Sequence, residues 1–252
     1  MIRVGVVGAA GKMGSTVCDA IVAADGLELA AAVDVVGSGG SVHGLVIAAE
    51  LKALADAKCD VVVDFTVAAA ARITLPWLAL HGMHTVVGTT GFSDDDLATF
   101  RKAFTGSNCL IAANFAIGAV LMMKFAEQAA PYFETAEIIE FHHNAKADAP
   151  SGTAMVTAQR MAAASDEWAA DPTKHEVIPG ARGGVGPGGI HVHGVRMVGM
   201  TASQEVILGT AGQTLVIRHD SNDRVSFMPG VVLACRKIED LSGLTMGIDS
   251  LL

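Results

Sequence analysis

The sequence predicts an α/β protein in which a doubly wound parallel sheet is joined to a second α+β domain carrying an open mixed or antiparallel sheet. Three observations carry this expectation. Short apolar runs alternate with helical patterns through the first 112 residues, the order that builds parallel strands with covering helices. The composition is 51% hydrophobic yet only 5% aromatic, with 28 glycines, which suits close packing of small residues between helices and a sheet. After Asn114 the pattern changes, and three strand-like runs separated by tight turns follow further along, at 191–198, 204–209 and 214–219.

Ile2–Val7 is a short apolar strand, and Lys12–Ala24 has a helical pattern that puts Met13, Val17, Ala20, Ile21 and Ala24 on one face. Leu27–Val33 is the next strand and ends at Asp34. The Gly- and Ala-rich stretch Val35–Ala57 has weak periodicity and predicts a loop with one short helix. Cys59–Phe65 is almost continuously apolar, as in a strand covered on both faces of a parallel sheet. Helical sequence follows over Ala68–His81, where Pro76 should kink or divide it. Thr85–Gly88 is another strand. Ser93 before Asp94, Asp95 and Asp96 is an N-cap with acids in the first turn of a helix that reaches about Thr105. Cys109–Ala112 is a further strand.

A long apolar helix, Ile117–Ala130, stops at Pro131, and Glu137–Phe141 then leads into a stretch rich in histidine and lysine. Another helix is expected from about Gly152 to Ala164. Gly180–Gly189 is a glycine-rich loop holding Arg182, and reads equally as a lid or as a disordered connection. His191–Val198, Gln204–Gly209 and Thr214–His219 form the strand group, with Ala211-Gly212-Gln213 as a hairpin loop. A meander of this kind is expected to be antiparallel and open on one face. Val225–Ile238 and a strand near Leu244–Gly247 could return to the first domain. The expected division is therefore discontinuous: 1–116 with 226–252, and 117–225.

A formal charge of -9 with no basic run argues against nucleic acid, because phosphate binding draws on clustered Lys and Arg. Any anionic ligand must then be met by locally concentrated cations, which draws attention to Lys12, Lys146, His142 and His143. Cys18, Cys59, Cys109 and Cys235 lie far apart without metal-ligand spacing, so buried free thiols are expected and no metal site. No cleavage site follows the N-terminal apolar run, and no later run is long enough to span a bilayer. A cytoplasmic protein without a membrane partner is the expectation.

Gly8, Gly11 and Gly14 follow a strand and open a helix, an arrangement that lets a pyrophosphate approach the helix N-terminus. Ala10 stands where the commoner fingerprint has its second glycine. Asp34, twenty residues beyond Gly14 at the end of the next strand, can accept hydrogen bonds from an adenosine ribose. This predicts a Rossmann-like, dinucleotide-binding first domain, with Gly8, Ala9, Ala10, Gly11, Lys12, Met13 and Asp34 against the cofactor. Lys12 reads equally as a phosphate contact or as a solvated lysine at a helix start. Phe65, Gly88, Thr89, Thr90, Ala113, Asn114 and Phe115 fall at later strand ends, on the side where a nicotinamide would lie, although Phe65 could simply be core. Asp34 should repel a 2′-phosphate and Val35-Val36 supply no arginine to hold one, so NADH should be used at least as well as NADPH; Lys12 keeps NADPH possible.

The second chemical signal is Glu140–Ala154, EFHHNAKADAPSGTA, where two histidines and a lysine precede a Pro-Ser-Gly-Thr turn. Cationic groups and backbone N–H donors converge there, as a dianionic substrate and a proton transfer require. Together the two signals point to a nicotinamide-dependent reductase. The GAAGKMG opening, Asp64–Thr66, Gly88–Phe92, Ala113–Ala119, His142–Ala154 and His219–Val232 resemble the 4-hydroxy-tetrahydrodipicolinate (dihydrodipicolinate) reductase family, in its compact, actinobacterial-like form. The resemblance covers nearly the whole chain. It implies hydride delivery from NADH or NADPH to C4 of a cyclic imine dicarboxylate with loss of water, in lysine and diaminopimelate biosynthesis, and a homotetramer.

The resemblance also implies roles. His142 and Lys146 match the pair assigned to proton transfer, His143 matches a substrate-contacting histidine, and Gly152 and Thr153 match a carboxylate clamp with Ser151 beside them; Thr90 is a further substrate contact. Either His142 or Lys146 could deliver the proton. The family pattern usually has another basic residue just before the lysine, where this chain has Asn144-Ala145, which lowers the positive charge expected of the pocket. His191, His193 and Arg196, on an expected strand, are assigned structural or interface roles.

Two other readings compete. One is a different two-domain dehydrogenase of the aspartate-semialdehyde or homoserine kind, the first of which needs a cysteine nucleophile. The other is a dinucleotide-sensing protein without catalysis, for which Lys146 should be dispensable.

Overall fold

The computed structural model describes residues 1–252, which divide into two compact units: Met1–Ile117 with Arg224–Leu252, and Gly118–Asp223. In the first unit the chain order is β1 (Ile2–Val7), α1 (Lys12–Ala23), β2 (Leu27–Val33), β3 (Ser41–Val42), β4 (Leu45–Ala48), α2 (Lys52–Asp56), β5 (Val61–Asp64), α3 (Ala68–Leu80), β6 (His84–Val87), α4 (Asp94–Ala103) and β7 (Cys109–Ile111). The second unit holds α5 (Ile117–Ala129), β8 (Thr135–His142), α6 (Gly152–Ala164), β9 (Gly184–Val185), β10 (His191–Arg196), β11 (Ala202–Thr210) and β12 (Gln213–Ser221). The chain then returns to the first unit with α7 (Met228–Lys237) and β13 (Leu244–Met246).

The first sheet runs β13-β7-β6-β5-β1-β2-β4-β3 and is parallel except for the last pair. Strand order reverses around β1, so a crevice opens beyond the carboxyl ends of β1 and its neighbours, where such sheets bind ligands. Each strand is short and apolar because both faces are covered; Val61 to Val63 are all buried. One core cluster gathers Val7, Val33, Leu54, Val62 and Leu78, and another Leu75, Val87, Phe100, Phe104 and Ile111. α1 buries Gly14, Val17, Cys18 and Ile21.

Several expectations are corrected. α3 runs through Pro76 undivided. The carbonyl that loses its helical donor belongs to Arg72, an exposed residue that water can satisfy, while Ala71, Leu75 and Leu78 anchor the helix on the buried side. The stretch after Asp34 holds more than a loop and a helix: β3 and β4 form a hairpin, and β4 extends the sheet beside β2. Its strands have two and four residues, too short for a period-two pattern to register.

The second sheet is mixed, in the order β12-β11-β8-β10-β9. β11 and β12 form the expected hairpin, but its loop is only Ala211-Gly212, because Gln213 already pairs with Thr210 at the start of β12. The three late strands are not an uninterrupted meander, because β8 lies between β10 and β11 and pairs in parallel with β10. Helix α6 makes the crossover that a parallel pair needs. The glycine-rich 180–189 stretch is not a loose connection throughout: β9 pairs with the start of β10, and Pro187–Gly189 forms a helical turn. No helix is long and apolar enough to cross a membrane.

Candidate active site

In the first unit, β1 delivers the chain into a turn that only glycine accommodates. Gly8 has φ +83, and a Cβ on Gly14 would lie 1.9 Å from the Gly8 carbonyl oxygen. The helix start is thereby brought against the turn, leaving backbone N–H groups without intrahelical partners at a positive dipole end. The Asp34 carboxylate accepts from the N–H groups of Ala10 (3.1 Å), Val36 (2.9 Å) and Gly37 (3.3 Å), so it locks the glycine turn to its own loop. A cavity of about 510 Å³ opens here, lined by Gly8, Gly11, Asp34, Val36, Val67 and Ile73. Val36 is 97% exposed and Ile73 73%, apolar rim that a flat aromatic ring would cover. Lys12 and Ala10 are exposed, Met13 is half-buried and Ala9 is buried.

The next two strand ends are tied by one carboxylate. Asp64 is fully buried at the end of β5, and its Oδ1 accepts from Thr66 N (3.0 Å), Thr66 Oγ1 (2.7 Å) and Thr89 Oγ1 (2.8 Å). Burial pushes its pKa up, against the pull of the two threonines. The loops at Phe65–Val67 and Gly88–Thr90 are thus held together. Phe65 tilts against Phe115 with ring centroids 5.8 Å apart. Thr89 and Phe115 are buried and shape these loops from within, while Thr90 and Ala113 are exposed and Asn114 half-buried, its Oδ1 accepting from Ala116 N. Gly8 to Met13, Asp34, Phe65, Gly88 to Thr90 and Ala113 to Phe115 therefore all stand at carboxyl ends of strands in one sheet. Thr90 stands among these strand ends of the first unit.

In the second unit β8 ends at His142. Ala136, Ile138, Glu140 and His142 alternate onto one face, and Glu140 is completely buried there. Its two oxygens accept from the Arg196 guanidinium at 2.7 and 2.8 Å, from Ser151 N at 3.2 Å and from His142 Nδ1 at 2.5 Å. Burial alone would raise the Glu140 pKa, but the bonds from Arg196 and His142 hold it below the ordinary carboxylate range. His142 titrates below an ordinary histidine: burial dominates, the Lys146 and Arg196 charges add to it, and Glu140 opposes.

Beyond His142 the chain carries exposed His143 and then Lys146, whose ammonium pairs with Asp148 at 2.7 and 2.9 Å. Ser151 is buried and accepts from Ala154 N (3.2 Å) as the cap of α6. Gly152 and Thr153 form the first turn, Gly152 exposed, where backbone N–H groups favour an anion. His142, His143, Lys146, Ser151, Gly152 and Thr153 are therefore brought together by one strand end, one loop and one helix start.

The sequence analysis did not single out Glu140 and gave Arg196 a structural or interface role, yet the two form a buried ion pair against His142. The available signal was parity: a carboxylate in register with buried Ala136 and Ile138 must find a cation, and Arg196 shares the parity of buried Val192 on β10. His193 binds Glu137 and His191 binds Asp171. All four cysteines are buried free thiols; burial pushes Cys59 up to about 11 and Cys18 and Cys235 up to about 12.

Residues 2–115 match the family profile described as dihydrodipicolinate reductase, N-terminus, and residues 118–252 the one described as dihydrodipicolinate reductase, C-terminus. The chain is similar to the 4-hydroxy-tetrahydrodipicolinate reductases of Thermobifida fusca, 53% identical over 260 residues, and of Mycolicibacterium vanbaalenii, 49% identical over 255, covering 100% of this chain and 99% of each relative. Among solved structures it is similar to a dipicolinate-bound dihydrodipicolinate reductase from Paenisporosarcina sp. TG-14, with a TM-score of 0.90, 35% identity and 100% of both chains covered. Profiles that together span almost every residue, relatives matched end to end, and a sheet topology shared with that solved reductase lead to one conclusion: the chain belongs to the dihydrodipicolinate reductase family and is an oxidoreductase.

Proposed function

We propose that this chain reduces 4-hydroxy-tetrahydrodipicolinate to tetrahydrodipicolinate with loss of water, using NADH or NADPH, as a step of lysine and diaminopimelate biosynthesis. The observation that carries the reading is the grouping of His142, Lys146 and the α6 start on the second unit. Cations and helix N–H groups there suit a small dicarboxylate. The first unit, with its return segment, is the dinucleotide-binding domain; the second is the substrate-binding and oligomerisation domain.

When bound, the nicotinamide supplies a hydride. The glycine turn fits a pyrophosphate because no Cβ stands between Gly8 and Gly14. Gly8, Ala9, Ala10, Gly11, Lys12 and Met13 would hold the phosphates, and Asp34 the adenosine ribose. Phe65, Gly88, Thr89, Thr90, Ala113, Asn114 and Phe115 would shape the nicotinamide end. On the second unit, the N–H groups of Gly152 and Thr153 bind one carboxylate with Ser151 orienting the helix start, and His143 contacts the substrate. A cation near the ring nitrogen would stabilise electron density that builds there, and His142 or Lys146 would supply the proton to the substrate. Lys146 must exchange its Asp148 partner for substrate, and that exposed pair is weak enough to allow it.

Asp34 favours coenzyme without a 2′-phosphate, so NADH is used at least as well as NADPH; a preference for NADPH of about a hundredfold, roughly 2.8 kcal/mol, would contradict this. The sheet face carrying the half-buried Phe141 and Ile207 and the exposed Val216 supports self-association into a homotetramer, which light scattering after size exclusion would test. A semialdehyde-dehydrogenase mechanism is disfavoured because every thiol is buried with a raised pKa. A coupled assay tests the reaction: pyruvate and aspartate semialdehyde are condensed by the preceding synthase while NADH absorbance is followed. Consumption that needs both precursors and this chain supports the reading; no consumption refutes it.

A further inference from the structure

We infer that Glu140 and Arg196 are positioning residues for His142: the buried ion pair fixes the imidazole with its proton on Nδ1 and leaves Nε2 as the nitrogen that exchanges a proton with substrate. The inference rests on the proposed proton-transfer role of His142. Glu140 is 0% exposed and has both oxygens occupied by Arg196 donors. A carboxylate so held is ionised and can only accept. The ring nitrogen 2.5 Å from it, Nδ1, must therefore carry hydrogen. A neutral imidazole has one such hydrogen, so Nε2 holds the open lone pair, and in the cation Nε2–H is the proton that can leave.

Arg196 completes the arrangement. A lone carboxylate against His142 would hold it as a cation and make it a poor proton relay. The guanidinium cancels that charge, so Glu140 orients the ring while its effect on the ring's titration is offset. The charged groups facing His142 are Glu140 on β8, Arg196 on β10, and Lys146 on the following loop with Asp148 paired to it; the β11 residue opposite His142 is Ala202, which carries no charge. The same pair also binds the α6 side of the loop that bears Lys146. Arg196 donates to the Asp148 carbonyl at 2.7 Å, and Glu140 accepts from Ser151 N. Orientation of the imidazole, placement of the lysine and the start of α6 thus share one hub, in the way a buried acid orients a histidine in a catalytic triad.

The test compares Glu140→Gln, Arg196→Met and the double variant carrying both, in the full-length protein. Each is followed by steady-state reduction over pH and by nitrogen NMR of imidazole-labelled protein. Glu140→Gln is expected to lower kcat at least about tenfold with NADH affinity within about twofold of the parent, and to move the His142 titration to lower pH. Arg196→Met is expected to move it to higher pH. The double variant leaves no unpaired buried charge, so it keeps the fold even where a single variant does not, yet it does not recover kcat and its neutral ring becomes a mixture of tautomers. Full kcat in the double variant, or an unmoved Nδ1–H signal in Glu140→Gln, would overturn the proposal. Turnover and imidazole spectra together distinguish the proton-transfer role of His142 from the positioning role of Glu140. Full turnover in His142→Gln would sink the proton-transfer role, whereas spectra that do not respond to Glu140 sink only the positioning role.

Discussion

Substituting Gly14 with alanine tests the cofactor turn directly. The added Cβ would stand 1.9 Å from the Gly8 carbonyl oxygen and 2.6 Å from its carbon. Real contacts of this kind begin near 3.0 Å, so turn and helix must separate by about 1.1 Å or more. The same carbonyl accepts from Gly11 N at 3.0 Å, so the displacement acts on the segment proposed to hold the pyrophosphate. Overpacking of this size costs about 1–3 kcal/mol. If about 1.4–2.8 kcal/mol of it falls on the bound state, the NADH dissociation constant rises roughly 10- to 100-fold. NADH fluorescence titration of parent and Gly14→Ala reads this, with melting as a control for folding. A folded variant that binds NADH within about twofold of the parent would refute the assignment of this turn to the pyrophosphate.

Three further outcomes follow from the same geometry. In the second unit Glu137 and Glu140 have folded pKa values below the ordinary range because their Arg and His partners outweigh burial, and His142 is lowered chiefly by burial. The unfolded chain therefore binds protons first, from about pH 6.5 for the histidine and about 4.3 for the glutamates, so stability is present above those values and lost on acidification. Tm by scanning fluorimetry should fall steadily from pH 7 to 4, and a flat or rising Tm would contradict this. Ser93→Ala removes a capping box in which Ser93 Oγ accepts from Asp96 N and Asp96 accepts from Ser93 N; the expected loss is about 1 kcal/mol, and an unchanged denaturation midpoint would argue that α4 does not depend on its cap. A chromogenic disulfide reagent at pH 8 should titrate no thiol in native protein and all four in denaturant, since every cysteine is buried with a raised pKa; rapid native labelling would contradict the burial.

Much of this was legible in the sequence because the signals are local. The strand before Gly8, the acid after β2 and the cap before α4 each depend on a few neighbouring residues, so composition and spacing reveal them. The Pro-Ser-Gly-Thr turn is equally local, and α6 begins where it predicts. What escaped depends on pairing between distant segments. Nothing near residue 191 indicates that β10 runs parallel to β8, and without that register Arg196 cannot be matched to Glu140, 56 positions away. The β3–β4 hairpin escaped because its strands are too short to show a period. Pro76 does not divide α3, because the helix residue whose carbonyl loses its donor is the exposed Arg72.

The most direct test of the account is turnover and NADH binding measured side by side in Lys146→Ala. The second unit is proposed to carry the proton chemistry and the first the coenzyme. Lys146→Ala is therefore expected to lower kcat by about a hundredfold or more, with an NADH dissociation constant like that of the parent. Turnover equal to the parent's would contradict the assignment of chemistry to the His142–Lys146 group.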